Sequence, residues 1–149
     1  MSNVIIEIPK GSFIKYEIDS KDLVCDRILS LPFPYNYGYI PNTKAPDGDE
    51  LDAVVIMPHS LYPQTHIKCK IIGYLEMTDE KGQDEKILAV PLNSSINDIK
   101  ELDKNILHEI KEFFIHYKDG EVNRWSQVGE FLGAEKALEI YEKYKLINQ

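Results

Sequence analysis

Asp47-Gly48-Asp49-Glu50-Leu51-Asp52 sets four carboxylates in six residues, directly ahead of the apolar run Ala53-Val54-Val55-Ile56-Met57. No fold can bury that segment as ordinary core. Two like charges about 4 Å apart repel by about 4 kcal/mol at the effective dielectric near a protein surface, so these groups must splay into water or share cations. Asp-Gly favours a turn, because Asp bonds its own backbone and Gly accepts a positive φ. The segment therefore reads as a turn feeding a strand, and taken alone a solvated turn explains it as well as a metal site does. A second acidic run, Asp79-Glu80-Lys81-Gly82-Gln83-Asp84-Glu85-Lys86, separates the apolar stretches Ile71 to Met77 and Ile87 to Leu92 and reads equally as a hairpin tip.

An EF-hand loop fails on both runs, since its twelfth position demands a bidentate Glu and the chain has Pro58 or Val90 there. Oxygen ligands without nearby His or Cys suit a hard cation, and Mg²⁺ bound together with a phosphate suits an open cluster best. Basic residues recur around these runs. Lys15 alternates with Glu17 in Phe13-Ile14-Lys15-Tyr16-Glu17-Ile18, so both are expected on one face of a strand. Glu7 interrupts Val4-Ile5-Ile6-Glu7-Ile8, either at a solvated edge or facing a polar cavity. Arg27, Lys86 and Lys118 are each ordinary surface charges when taken singly. Carboxylates, Lys and Arg together are what a polyphosphate with bound Mg²⁺ requires: the carboxylates hold metal, and the basic groups take the remaining phosphate oxygens.

The order of motifs resembles the soluble family I inorganic pyrophosphatases of the bacterial type. DGDELDA at 47–53 is similar to that family's DxDxxD metal motif. Collinear with it are VIIEIP at 4–9, IKYEID at 14–19, DR at 26–27, PYNYGYIP at 34–41, MTDEKGQDEKILAVP at 77–91 and FFIHYKD at 113–119. The resemblance implies Mg²⁺-dependent hydrolysis of pyrophosphate, with several ions per active site. It implies that Asp47, Asp52 and Asp84 hold the tightest ion, with Asp52 shared with a neighbouring ion. Asp79 and Asp84 match ligands of an ion arriving with substrate, Glu17 a ligand of another, and Glu7 a supporting carboxylate. Lys15, Arg27, Tyr37, Lys86, Tyr117 and Lys118 match phosphate contacts, and Asp49 matches the base that deprotonates the attacking water. No covalent intermediate is implied. Phe33 departs from the pattern, standing where many members carry Tyr, and the stretch from Arg27 to Pro34 looks shortened.

Apolar runs near 4–8, 13–18, 23–29, 51–57, 67–77 and 86–92 predict strands, separated by Pro, Gly and Asp. Asp103 is placed to cap a helix through about Tyr117, with Ile106, Ile110, Phe113, Phe114 and Tyr117 on one face. A second helix is predicted from about Ala134 to Lys145, with Ala137, Leu138, Tyr141 and Tyr144 at helical spacing. Periodicity alone gives α+β, mainly β. The resemblance implies an OB-like five-stranded barrel with these two helices flanking it near the C-terminus.

With 149 residues, 43% of them hydrophobic, the chain is long enough for one core, and residues 1–149 are expected to form one domain. A net charge of −8 argues against nucleic acid or an anionic membrane as partner. A single-strand-binding OB module would need a basic groove, and this candidate groove is acidic. A noncatalytic Ca²⁺ domain would have no use for Lys15, Arg27 or Lys118. Cys25 and Cys69 lack CxxC spacing and are expected at core or half-buried strand positions, in keeping with a reducing cytoplasm. No signal-peptide pattern or membrane-length apolar run is present. His116 matches a subunit-interface position, so the resemblance implies a homo-oligomer, and specifically a hexamer.

Overall fold

The computed structural model describes residues 2–146. Met1 and residues 147–149, the ends of the unit expected over 1–149, lie outside the described residues. Strands β1 (Ser2–Ile8), β2 (Ile14–Asp19), β3 (Asp22–Ile28), β4 (Asn36–Ile40), β5 (Leu51–Val55), β6 (His66–Asp79), β7 (Gly82–Gln83) and β8 (Lys86–Pro91) precede a 3₁₀ turn at Ile99–Glu101. Helix α1 (Lys104–His116), strand β9 (Ser126–Gly133) and helix α2 (Ala134–Tyr144) follow. The sheet runs β1-β4-β5-β8-β6, and a further β1–β6 pairing closes those five strands into a ring. The expected five-stranded barrel is thus present. All its pairs are antiparallel except β5 with β8.

The long strand β6 makes closure possible. Its first residues pair with β1, its middle pairs with β8 on one side and β9 on the other, and its end turns into β7. Two irregularities in register, at Ile71/Gly73 and Leu75/Met77, supply the bend that a small barrel demands. Strand β1 crowds β4 at Gly38, where any Cβ would overlap the carbonyl of Ile5.

Strands β5 and β8 read as unbroken apolar runs because both faces are covered. Val4, Ile6, Ile40, Ala53, Val55, Ile71, Ile87 and Ala89, drawn from all five ring strands, form one cluster with Ala137 and Tyr144 of α2. The alternate residues Val54, Leu88 and Val90 join a second cluster with Ile72 and with Ile110, Phe113 and Phe114 of α1. Asp103 caps α1 as expected, accepting from the Asn105 amide at 2.8 Å.

Four expectations need correction. Asn36–Ile40 is a strand, hidden in the sequence by the turn-forming Asn36 and Gly38 and the prolines on either side. Ser126–Gly133 is a strand between the helices, masked by its glycines and by the lack of clean alternation, since all its residues but two are half-buried. Leu138 is 45% exposed and not on the packed face of α2. Cys25 is exposed, because β2 and β3 form a separate two-stranded sheet whose distal residues project from the barrel.

Candidate active site

The acidic turn forms as its sequence requires. Asp47 Oδ1 accepts the Asp49 amide at 3.0 Å, and Gly48 takes φ +91°, which leaves the Asp47, Asp49 and Asp52 side chains free to face one cleft. That cleft, about 160 Å³, collects side chains from almost every element. Glu7 comes from β1, Lys15 from β2 and Arg27 from β3. Tyr37 comes from β4, Asp79 from the end of β6, Asp84 and Lys86 from the entry to β8, and Tyr117 and Lys118 from the residues after α1. Nine residues far apart in sequence thereby join the Asp47 turn. Lys15 and Arg27 stand directly opposite one another across the β2–β3 pair, next to an irregularity in register. Glu17 is not brought in. It lies nearer the hairpin tip, opposite Val24, and is exposed.

The parallel register between β5 and β8 sets Asp52 beside Lys86. The Lys86 ammonium, 2% exposed as a residue, donates to Asp52 Oδ2 at 2.7 Å, Asp84 Oδ2 at 2.9 Å and the Tyr37 hydroxyl at 2.7 Å. Lys118 Nζ donates to Asp79 Oδ2 at 3.1 Å and Glu80 Oε1 at 3.4 Å. Lys15 Nζ lies 3.5 Å from Asp26.

Burial dominates the electrostatics. It pushes the Asp84 carboxyl up to about 6, since Asp52 and Asp79 add repulsion that Lys86 does not cancel. Burial pushes Glu7 up to about 7 against the pull of Lys15, with Asp52 and Glu50 adding to the rise. Asp47 is also raised, first by burial. Burial raises Tyr37 and Tyr117, so both keep their protons. For Lys86 burial works the other way, but Asp52, Tyr37, Tyr117 and Asp84 outweigh it and hold the ammonium charged. Burial thus disfavours charge on the Glu7, Asp47 and Asp84 carboxyls unless a cation joins them.

Its donors are carboxylate oxygens, the chemistry of a hard cation. Among the described residues no group of three is placed to hold an ion by itself.

Sequence reasoning passed over Glu80, Lys81 and Arg124, which also line the cleft. Glu80 accepts the Trp125 amide at 3.1 Å and lies 3.8 Å from Arg124 Nε. Burial works to raise Glu80, but the Trp125 amide, its own backbone amide and Lys118 hold it down at about 2. Glu80 sits inside the second acidic run and was legible as charge; Arg124 follows no motif. Phe33 lines the cleft too, although it is 3% exposed and its ring packs 4.5 Å from Tyr37 and 4.4 Å from Phe113.

The inorganic pyrophosphatase family model matches residues 4–146. The chain is 44% identical over 151 residues to an inorganic pyrophosphatase from Saccharolobus solfataricus, spanning 95% of this chain and 88% of that one. It is 47% identical over 146 residues to one from Nanoarchaeum equitans, spanning 93% and 91%. The solved inorganic pyrophosphatase of Helicobacter pylori superposes with a TM-score of 0.89 at 41% identity, covering 95% of this chain and 89% of that one.

Proposed function

The chain belongs to the inorganic pyrophosphatase family, family I of the bacterial type, and on that premise we propose that it hydrolyses pyrophosphate to two orthophosphates with Mg²⁺ as cofactor. The observation that carries this reading is the single cleft in which Asp47, Asp49, Asp52, Asp79 and Asp84 meet Lys15, Arg27, Lys86, Lys118 and two protonated tyrosines.

Asp47, Asp52, Asp79 and Asp84 would hold the ions. Glu17 is assigned to a further ion on its motif alone, and Glu7 supports the cluster near Lys15. Bound there, Mg²⁺ would acidify a water and offset phosphate charge. Asp49 takes a proton from the attacking water as its oxygen bonds to one phosphorus, and the bridging P–O bond breaks in line. Lys15, Arg27, Lys86 and Lys118 bind phosphate oxygens and stabilise the charge on the departing orthophosphate. Tyr37 accepts from Lys86, leaving its own proton to donate to phosphate, and Tyr117 lines the same cleft. We further read the chain as one domain acting as a homo-hexamer in the cytoplasm, with no nucleic acid or membrane as partner.

Asp49→Asn tests the division of roles. Turnover is expected to fall by about 10²- to 10⁴-fold, the usual contribution of a positioned base, with Mg²⁺ affinity nearly intact. Asp52→Asn is expected to weaken Mg²⁺ binding instead. Equal losses of Mg²⁺ affinity in both variants, read by calorimetry, would refute the assignment.

A further inference from the structure

A second cavity, about 380 Å³, is walled by β6, β9 and α2 and shares no lining residue with the cleft. Asp84 and Lys86 line the cleft, whereas Glu85 between them lines this cavity. Glu85 is 6% exposed. Its Oε1 accepts from the Tyr144 hydroxyl at 2.9 Å. Its Oε2 is the one buried side-chain nitrogen or oxygen that lacks a hydrogen-bond partner among the described residues. Leaving a carboxylate oxygen buried and unpaired is costly, so the site calls for a donor.

The rest of the lining indicates which donor. Glu76 adds a second carboxylate at an irregularity of the β6–β9 pairing, where its Oε1 accepts the Glu130 amide at 3.2 Å. Lys143 is the cation of the lining, yet its ammonium lies over the Tyr144 ring, 5.6 Å from the centroid, and not on Glu85 Oε2. Tyr74, Met77 and Ile140 give the cavity apolar walls. A bare divalent ion gains nothing from those walls. A chain of methylenes ending in ammonium groups uses both the walls and the carboxylates.

We propose that this cavity binds a linear aliphatic diamine cation, with one ammonium donating to Glu85 Oε2 and the other paired with Glu76. Calorimetric titration of the full chain with 1,4-diaminobutane is expected to show saturable binding, and 1,4-butanediol none. Glu85→Gln is expected to weaken the diamine by about tenfold or more, as a charge-assisted bond becomes a neutral one. Lys143→Met is expected to tighten it by removing a competing ammonium. Asp52→Asn, which alters only the acidic cleft, is expected to leave the affinity unchanged. Absence of saturable binding, equal affinity in Glu85→Gln, no gain in Lys143→Met, or a parallel loss in Asp52→Asn would each overturn the proposal.

Discussion

Asp84 and Glu7 make the free cleft sensitive to pH in a direction that can be worked out. Both carboxyls are raised by burial, to about 6 and about 7. A raised folded value means stability that is fully present below the unfolded value, about 4, and lost as pH climbs through the folded one. Without metal, stability is therefore expected to decline between about pH 4 and pH 7. Cations in the cleft reward the charged forms, so the rise in unfolding temperature on adding Mg²⁺ should grow across the same window. Thermal scans with and without Mg²⁺ at several pH values check this, and a Mg²⁺ effect that shrinks as pH rises would contradict it. At this scale most of the cleft was legible from motifs. Asp47, Asp49 and Asp52 announce themselves as a charge density no core could take. Lys86 does not: its burial among Asp52, Asp84 and Tyr37 depends on the register between β5 and β8, which no local pattern encodes. Phe33, which stands where many family members carry Tyr, is a packed aromatic at the cleft wall.

Helix α2 shows how an element can depend on a residue far from it. Its N-cap is Gly133, with no side-chain bond, and the Ala134 amide is taken at 3.0 Å by Asp98 Oδ2. Asp98 Oδ1 meanwhile caps the 3₁₀ turn through the Lys100 amide at 3.0 Å. A Cβ at position 133 would stand 2.9 Å from Asp98 Oδ2, so only glycine leaves room for this shared cap. These two hydrogen bonds, to Lys100 and Ala134, hold the Asp98 carboxyl below its ordinary value. A depressed value means stability present above about pH 4 and lost as pH falls further. Asp98→Ala is expected to cost about 1 kcal/mol in urea unfolding at neutral pH, as for other lost caps, with the gap to wild type closing below about pH 4. A gap independent of pH would contradict the capping role. Helices with clean periodicity, such as α1, were readable in outline. Strands β4 and β9 were not, because their pairing energy comes from neighbours distant in sequence and their glycines read locally as turns.

At the scale of the molecule, the barrel followed from the motif resemblance, whereas periodicity yielded only α+β. Ring closure by the β1–β6 pairing is a long-range contact with no local signal. The proposed assembly would use α1. Ile115 is 38% exposed there, and His116, hydrogen-bonded to Asp119 at 2.7 Å and 3.5 Å from Glu112, is raised first by that Asp119 bond. Light scattering at micromolar concentration is expected to give a hexamer, and a monomer would overturn the assembly reading. The central claim, that the intact chain is a metal-dependent pyrophosphatase, meets its most direct test in orthophosphate release from pyrophosphate. The account predicts rapid release with Mg²⁺, none above background in excess chelator, and inhibition by Ca²⁺, which is larger, coordinates more loosely and acidifies bound water less. Full release in chelator, or no release with Mg²⁺, would contradict it.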